Sequence, residues 1–470
     1  MTLLLALLAL LACKDAAPPP DSEADDTAPV VDTEAPDPRP WFANPAEAED
    51  LDPAEGVVRV ALTAATHWQE VVDPLTGDAV SFQGYAYNGQ TPGPTLRAKL
   101  GDTLIVEFTN DLTAATTIHW HGLAVPYEMD GVTWTLDPVE PGETFTYTLP
   151  LTRAGTFWYH PHLNTDQQVD NGLYGVLIVE DPADPPVDRE LVMVLDDWAE
   201  PEVALPPHGA DSDDHGVDGA EGLWAVNGLV SPRVAVEGGE VVRVRLLNAA
   251  NGGYVDLGWD GGVRQIAGDQ GLLPGLATGE RVVLAPGDRV DVEWLPGEAG
   301  FEVLDHPYAH SGGPAVGEPR ALMAVEVDPP AAPAGAPAWP FPADETPDDP
   351  GYTDHTYVFT GELEGPWLIN GEAFPDVTVA QLPLGEPSIL EVRNLSASEH
   401  PFHLHGMHFD VLSINGEPPL YPMLEDTFNL GIRDALRVRV VPEYPGFWML
   451  HCHILPHADG GMMTVVEVSE

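Results

Sequence analysis

His451-Cys452-His453-Ile454-Leu455-Pro456-His457, followed by Met462, is the stretch from which the rest of this chain can be read. Cys452 is one of two cysteines in 470 residues. A thiolate with two imidazoles and a weak axial thioether is the ligand set of a blue-copper electron-transfer site. The stretch supplies the thiolate, one imidazole and the thioether; the second imidazole has to come from elsewhere. Neighbouring side chains on a strand point to opposite faces. His451 and His453 therefore cannot share a metal with Cys452. They are placed to hold a second centre on the far side of the same backbone, joined to the first by covalent bonds.

More histidines are required upstream, and they are present. His119-Trp120-His121-Gly122 is one cluster, Phe157-Trp158-Tyr159-His160-Pro161-His162 a second, and His400-Pro401-Phe402-His403-Leu404-His405-Gly406 a third. A lone His-x-His carries little information, because polar residues alternate on many strand faces. Four clusters in order, closing on His-Cys-His, carry a great deal. On these residues the chain resembles the three-domain multicopper oxidases, the family of laccases, bilirubin oxidases and cuprous oxidases, over roughly residues 56–470.

The resemblance implies an all-β fold of three tandem cupredoxin-like Greek-key β-sandwich domains. It implies four copper ions: one type 1, one type 2 and two type 3. By motif position, type 1 takes His400, Cys452 and His457 with Met462 axial, and type 2 takes His119 and His403. The type 3 pair takes His121, His160 and His453 on one ion and His162, His405 and His451 on the other. Asp130 stands where the family has an acidic residue near the cluster, which makes it the expected proton relay; by residue type alone it reads equally as a turn aspartate before Gly131. Two departures concern protons. Several bacterial relatives carry a carboxylate just after the blue-copper histidine, where this chain has Ala458, and often Glu where Pro456 stands.

Composition agrees with short strands and many turns: 46 Gly and 49 Pro. The formal net charge of −58 repels nucleic acid and anionic membrane surfaces, and no nucleic-acid partner is expected. With Cys452 committed to copper, no structural disulfide is expected. The other cysteine, Cys13, ends Leu10-Leu11-Ala12-Cys13 after an apolar run too short to span a bilayer. Residues 1–13 read as an export signal ending in a sequence similar to a bacterial lipobox, although no Lys or Arg precedes the run. Cys13 would then carry a lipid anchor, and the protein would work in the bacterial cell envelope, in the periplasm or at the cell surface. Residues 14–55, rich in Pro, Asp, Glu and Ala, read as a disordered acidic tether.

The rest divides by an internal repeat. Asn88-Gly89, Asn227-Gly228 and Asn370-Gly371 each open an extended run and an alternating strand that ends near an Asn: Asn110, Asn248 and Asn394. Spacings of 139 and 143 residues, with short strands, mean tandem β-sandwiches rather than a solenoid. The expected domains are 56–182, 187–328 and 351–470, with an Ala/Pro-rich linker over 329–350. The first and third carry paired histidines at two matching places. The middle copy has only His306 and His310 there, and reads as a spacer without copper ligands, its two histidines on the surface or in loops. Of the other histidines, His408 reads as packed or hydrogen-bonded, and His208 and His215 as parts of a solvated loop.

The implied function is an exported oxidase. It couples one-electron oxidation of phenols or aromatic amines at the type 1 copper to four-electron reduction of O₂ to water at the three-copper cluster. A metal ion is the other donor class: cuprous oxidases of the family often carry a Met-rich insert, and none is visible among the nine methionines here. A structural protein of the same fold that has lost its copper is the third reading, and the filled ligand positions argue against it.

Overall fold

The computed structural model describes residues 36–199, 222–297, 299–311, 313–328, 347–361 and 365–470. The signal over 1–13, the tether to residue 35, the His208 and His215 loop and most of the 329–350 linker lie outside them. No helix among the described residues is long and apolar enough to cross a membrane.

The repeat seen in the sequence is a repeat of hydrogen bonds. Asn88, Asn227 and Asn370 all take positive φ, each followed by a positive-φ glycine, the backbone that a tight two-residue hairpin turn demands. Each side chain then clips a neighbouring strand in the same way. The Asn88 carboxamide accepts from Thr63 N–H and donates to Ala61 O; Asn227 does so with Val194 and Val192, and Asn370 with Val358 and Thr356. Asn110, Asn248 and Asn394 form a second matched set. Each is buried, accepts from the N–H two residues on, and donates to two carbonyls of adjoining segments. A buried carboxamide satisfied this fully fixes the loop between two sheets.

Three β-sandwich units result. In the first, a four-stranded sheet around Val57–Val72 and Thr103–Asp111 faces another ordered Gly93–Lys99, Gly175–Glu180, Gly155–His160, His119–His121. Alternation on Thr103–Asp111 sends Leu104, Val106 and Phe108 into a core with Trp120, Tyr147 and Tyr159. The third unit repeats the plan, with His400–Leu404 between Thr427–Leu430 and Gly446–Cys452. The middle unit's strands join in one nine-stranded sheet. Its long hairpin, Val255–Gly268 and Gly271–Leu284, turns on Asp269 and Gln270.

Residues 39–55 depart from the expected tether, which holds at most for the residues before them. They form a strap along the first two units. Phe42 N–H donates to Arg233 O, Ala48 N–H to Thr95 O and Leu51 N–H to Arg59 O, while the Asn44 side chain joins Glu190 O and Val192 N. The Arg233 guanidinium lies 3.9 Å over the Trp41 ring, and Glu47 pairs with Arg97 at 2.8 Å. Prolines and carboxylates suggest an unpacked chain. An extended segment can nevertheless dock through its backbone groups alone, as a strand does.

Candidate metal centre

Strand register delivers the histidines. His119 pairs with His160 across Gly155–His160, and His403 with His451 across Gly446–Cys452. The expected alternation at Cys452 is present: the cysteine enters the third unit's core with Phe402, Ile454 and Met462, and the flanking histidines leave by the other face. His119, His121, His160, His162, His403, His405, His451 and His453 converge, all buried, where the first and third units meet. His405 Nε2 lies 3.0 Å from His451 Nε2, which lies 3.5 Å from His162 Nε2. His119 stacks on His405 at 3.8 Å and His121 on His403 at 3.7 Å.

The tautomers are set from outside the cluster. Nδ1 of His119, His160, His403 and His451 donates to the carbonyls of Asp130, Pro161, Asp426 and Cys452 respectively, so each Nε2 keeps its lone pair. Nε2 of His119, His160 and His403 and both ring nitrogens of His453 have no hydrogen-bond partner. Unpaired buried acceptors are costly in any structure, and several aimed at one point fit a metal that takes them. Burial and then neighbouring imidazoles hold His121, His160, His162, His405 and His453 well below the ordinary histidine range, which keeps them neutral and available as ligands.

Asp130 is buried beside this cluster. Its Oδ2 accepts from His405 Nδ1 at 3.0 Å, its carbonyl accepts from His119 Nδ1 at 3.0 Å, and Oδ1 has no hydrogen bond but lies 3.4 Å from the same His119 Nδ1. Gly131 follows with φ +76°, and a side chain there would collide with Ile118 O. Ala458 is buried in an apolar cluster with Val132, Met449, Met463 and Val465.

On the other face of the sheet, Cys452 Sγ lies 3.4 Å from His400 Nδ1 and 3.7 Å from His457 Nδ1, and those nitrogens are 3.2 Å apart. Ser396 Oγ lies 2.7 Å from His400 Nε2; with that nitrogen donating, Nδ1 is the bare one facing the sulfur. Met462 is fully buried, and its carbonyl accepts from Cys452 N–H. The short helix Leu455–Asp459, with Pro456 in its first turn, turns His457 back toward the cysteine.

Sequence reasoning missed what the middle unit adds. Arg289, wholly buried, reaches Asp426 of the third unit and lies 3.3 Å from His121 Nδ1. The hairpin turn holds this pair: Gln270 Nε2 donates to Asp426 Oδ2 at 2.6 Å, and Asp269 accepts from Arg289 N–H and Thr427 N–H. Burial would raise the Asp426 carboxyl, but Arg289 and His403 outweigh it and hold the group well below the usual carboxylate range. No histidine marks Leu424-Glu425-Asp426-Thr427 in the sequence. The one available signal was Arg289 in the repeated closing segment that starts at Pro286-Gly287. His306 and His310 join no metal-ligand group among the described residues; His310 packs edge-on to Tyr254 and Tyr308. His408 accepts from Arg153 at 2.6 Å.

Comparison with known proteins agrees with this geometry. Sequence models of the multicopper oxidase family match residues 72–184 and 344–470. A multicopper oxidase of Mycobacterium tuberculosis, MmcO, is 28% identical over 424 residues, covering 81% of this chain and 82% of its own. The crystal structure of a multi-copper oxidase from Pseudomonas thermotolerans is 33% identical, covers 88% of this chain and 99% of its own, and superposes with a TM-score of 0.72. A laccase structure from Pediococcus acidilactici is 27% identical with a TM-score of 0.77, covering 93% and 95%.

Proposed function

This chain belongs to the multicopper oxidase family and is a copper-dependent oxidoreductase with oxygen as acceptor, and from that premise we propose which residues perform the reaction and on what donor. The observation that carries the reading is that one backbone segment serves both sites, Cys452 in one and His451 and His453 in the other. We assign His400, Cys452, His457 and Met462 to the type 1 ion, His119 and His403 to type 2, and His121, His160, His453 and His162, His405, His451 to the type 3 pair. Copper bound in these positions supplies one-electron oxidation at the cysteine site and four-electron reduction of O₂ to water at the histidine site.

The protein's part is placement. Buried carbonyls orient the imidazoles, and the fixed tautomers remove the need to reorganise when the charge state changes. The route from Cys452 to His451 and His453 runs through bonds, so an electron arriving at one site has a short path to the other. Asp130, against both His119 and His405, is placed to hold a proton at Oδ1, which makes no hydrogen bond, and pass it to reduced oxygen. We divide the body into domains 56–182, 187–328 and 351–470, with ligands in the first and third.

For the donor, we favour phenols or aromatic amines over Cu(I). The side chain stacked on His457 is aromatic, Trp367, and the partly buried Trp134, Phe374 and Phe447 pack on the cluster around Ala458, whose two methionines, Met449 and Met463, are buried inside it. The working place we propose is the bacterial cell envelope after export, with a lipid on Cys13. The test is oxygen uptake by the copper-loaded body, with a methoxyphenol and with Cu(I) in parallel. Uptake favouring the phenol supports the reading; uptake favouring Cu(I) makes the protein a metal-ion oxidase.

A further inference from the structure

His457 is only 3% exposed and His400 is fully buried, so little of either imidazole is open to a donor molecule. One of the side chains that cover them is Trp367. The Trp367 indole stacks on His457 with centroids 3.8 Å apart and planes 28° from parallel, and meets His400 edge-on at 5.6 Å. Its seat is cut by glycines. A Cβ on Gly361 would overlap Trp367 Cε3, and one on Gly460 would stand 3.0 Å from Trp367 Cδ1. Backbone approaches the indole from two sides at distances only glycine permits, which fixes the ring on the imidazole. Trp367 is 9% exposed, more than the histidine beneath it. The partly exposed rings of Trp134, from the first unit, and Phe374 lie 5.2 Å from each other and pack on the cluster that holds Ala458, the residue after His457.

We propose that Trp367 is the catalytic residue across which the donor's electron reaches His457, with the donor's ring meeting the indole. This rests on the aromatic-donor reading above and adds the contact to it. Each phenol gives one electron through the indole and one proton to solvent, leaving as a phenoxyl radical. Four such electrons and four protons with one O₂ give two waters, and the indole ends as it began. The ring contact at 3.8 Å continues the conjugated path outward by one side chain. It also selects planar donors, because aromatic pairs gain about 0.5–1.5 kcal/mol from their geometry beyond the area they bury.

The experiment uses the copper-loaded protein and its Trp367→Phe and Trp367→Ala variants. Copper content and the blue colour should match the parent in both, because Trp367 is not a ligand. Bleaching of the colour without oxygen, by a methoxyphenol, should stay within about threefold of the parent in Trp367→Phe and fall roughly tenfold in Trp367→Ala, the loss of one aromatic contact. Bleaching by hexacyanoferrate(II), which has no ring to stack, should not fall in Trp367→Ala. A second readout needs no copper: diethylpyrocarbonate should leave His457 of the metal-free parent unmodified and label it in Trp367→Ala, as read by peptide mass. If Trp367→Ala does not retain copper, Trp367→Leu, which keeps apolar volume without a π face, takes its place with the same expectations. Parent-like bleaching by the phenol in the Ala or Leu variant, or equal labelling of His457 in parent and variant, overturns the proposal. Absence of oxygen uptake by the parent with any phenol is a different result: it sinks the aromatic-donor reading itself.

Discussion

The Arg289 guanidinium meets the Asp426 carboxylate fork to fork, Nη1 at 2.8 Å from Oδ1 and Nη2 against Oδ2, with both side chains out of solvent. One residue comes from the middle unit, the other from the loop that holds His403 by its carbonyl. The middle unit is thus a wall of the cluster. Removing one partner of a buried ion pair strands the other charge, at a cost of about 3–5 kcal/mol, whereas replacing both by apolar groups is often close to neutral. Arg289→Leu and Asp426→Leu should each lower the urea midpoint of the metal-free protein strongly, and the double variant should recover most of the loss. Independent, additive effects of the two would contradict the pairing.

Gly287 tests the same wall at a single atom. It takes φ +86°, and a Cβ there would stand 2.8 Å from His453 Cγ. Backbone strain and the contact act together in Gly287→Ala. His453 should be pushed from its place, so the variant should bind fewer copper ions per chain while keeping its blue colour, since the Cys452 site lies on the other face of the strand. Metal analysis alongside the visible spectrum checks this; full copper content would show that His453 tolerates the shift.

Asp130→Asn keeps volume but removes the charge that faces His405. With Asp130 as the proton relay, anaerobic reduction of the blue copper should be unchanged, and reoxidation by oxygen should slow by about 10–100-fold, as for other partners of metal ligands. Stopped-flow measurement of the two half-reactions separates them. Slowing of the reductive half alone would remove Asp130 from the oxygen chemistry.

The strap sets where a soluble body should begin. A chain starting at Arg39 should unfold at a higher temperature than one starting at Glu55, because the shorter form loses the backbone bonds of Phe42, Ala48 and Leu51 and the stack of Arg233 on Trp41. Equal melting temperatures would mean that the strap contributes no net stability.

How far the sequence could be read follows from the kind of signal each feature leaves. Asn88-Gly89 and its two copies were legible because a positive-φ turn restricts the residues that can make it. The histidines were legible because spacing on a strand dictates the face. Arg289, Asp426 and Gln270 were not, since they meet through the packing of two units far apart in the chain, and each alone looks like an ordinary polar residue. Residues 39–55 misled for the opposite reason: their composition is that of a tether, and what binds them is mostly backbone, which composition does not display.

The thiol and the imidazoles should answer pH differently when copper is loaded. Burial raises the Cys452 thiol well above its ordinary value, against a smaller lowering by the Ile454 N–H. The metal takes the thiolate, so filling this site displaces one proton. Affinity should then rise about tenfold per pH unit wherever the pH is below the thiol's folded value. The histidines contribute nothing to that slope near neutrality: burial pushes His400 and His451 down to about 3, so both already lack the second proton. Loading the metal-free protein with Cu(I) in weak buffer, with a pH indicator, should therefore release one proton more than loading Cys452→Ser at every pH between about 6 and 8. No difference between the two would mean that the thiolate forms before the metal arrives, with a positive charge near Sγ that burial alone does not provide.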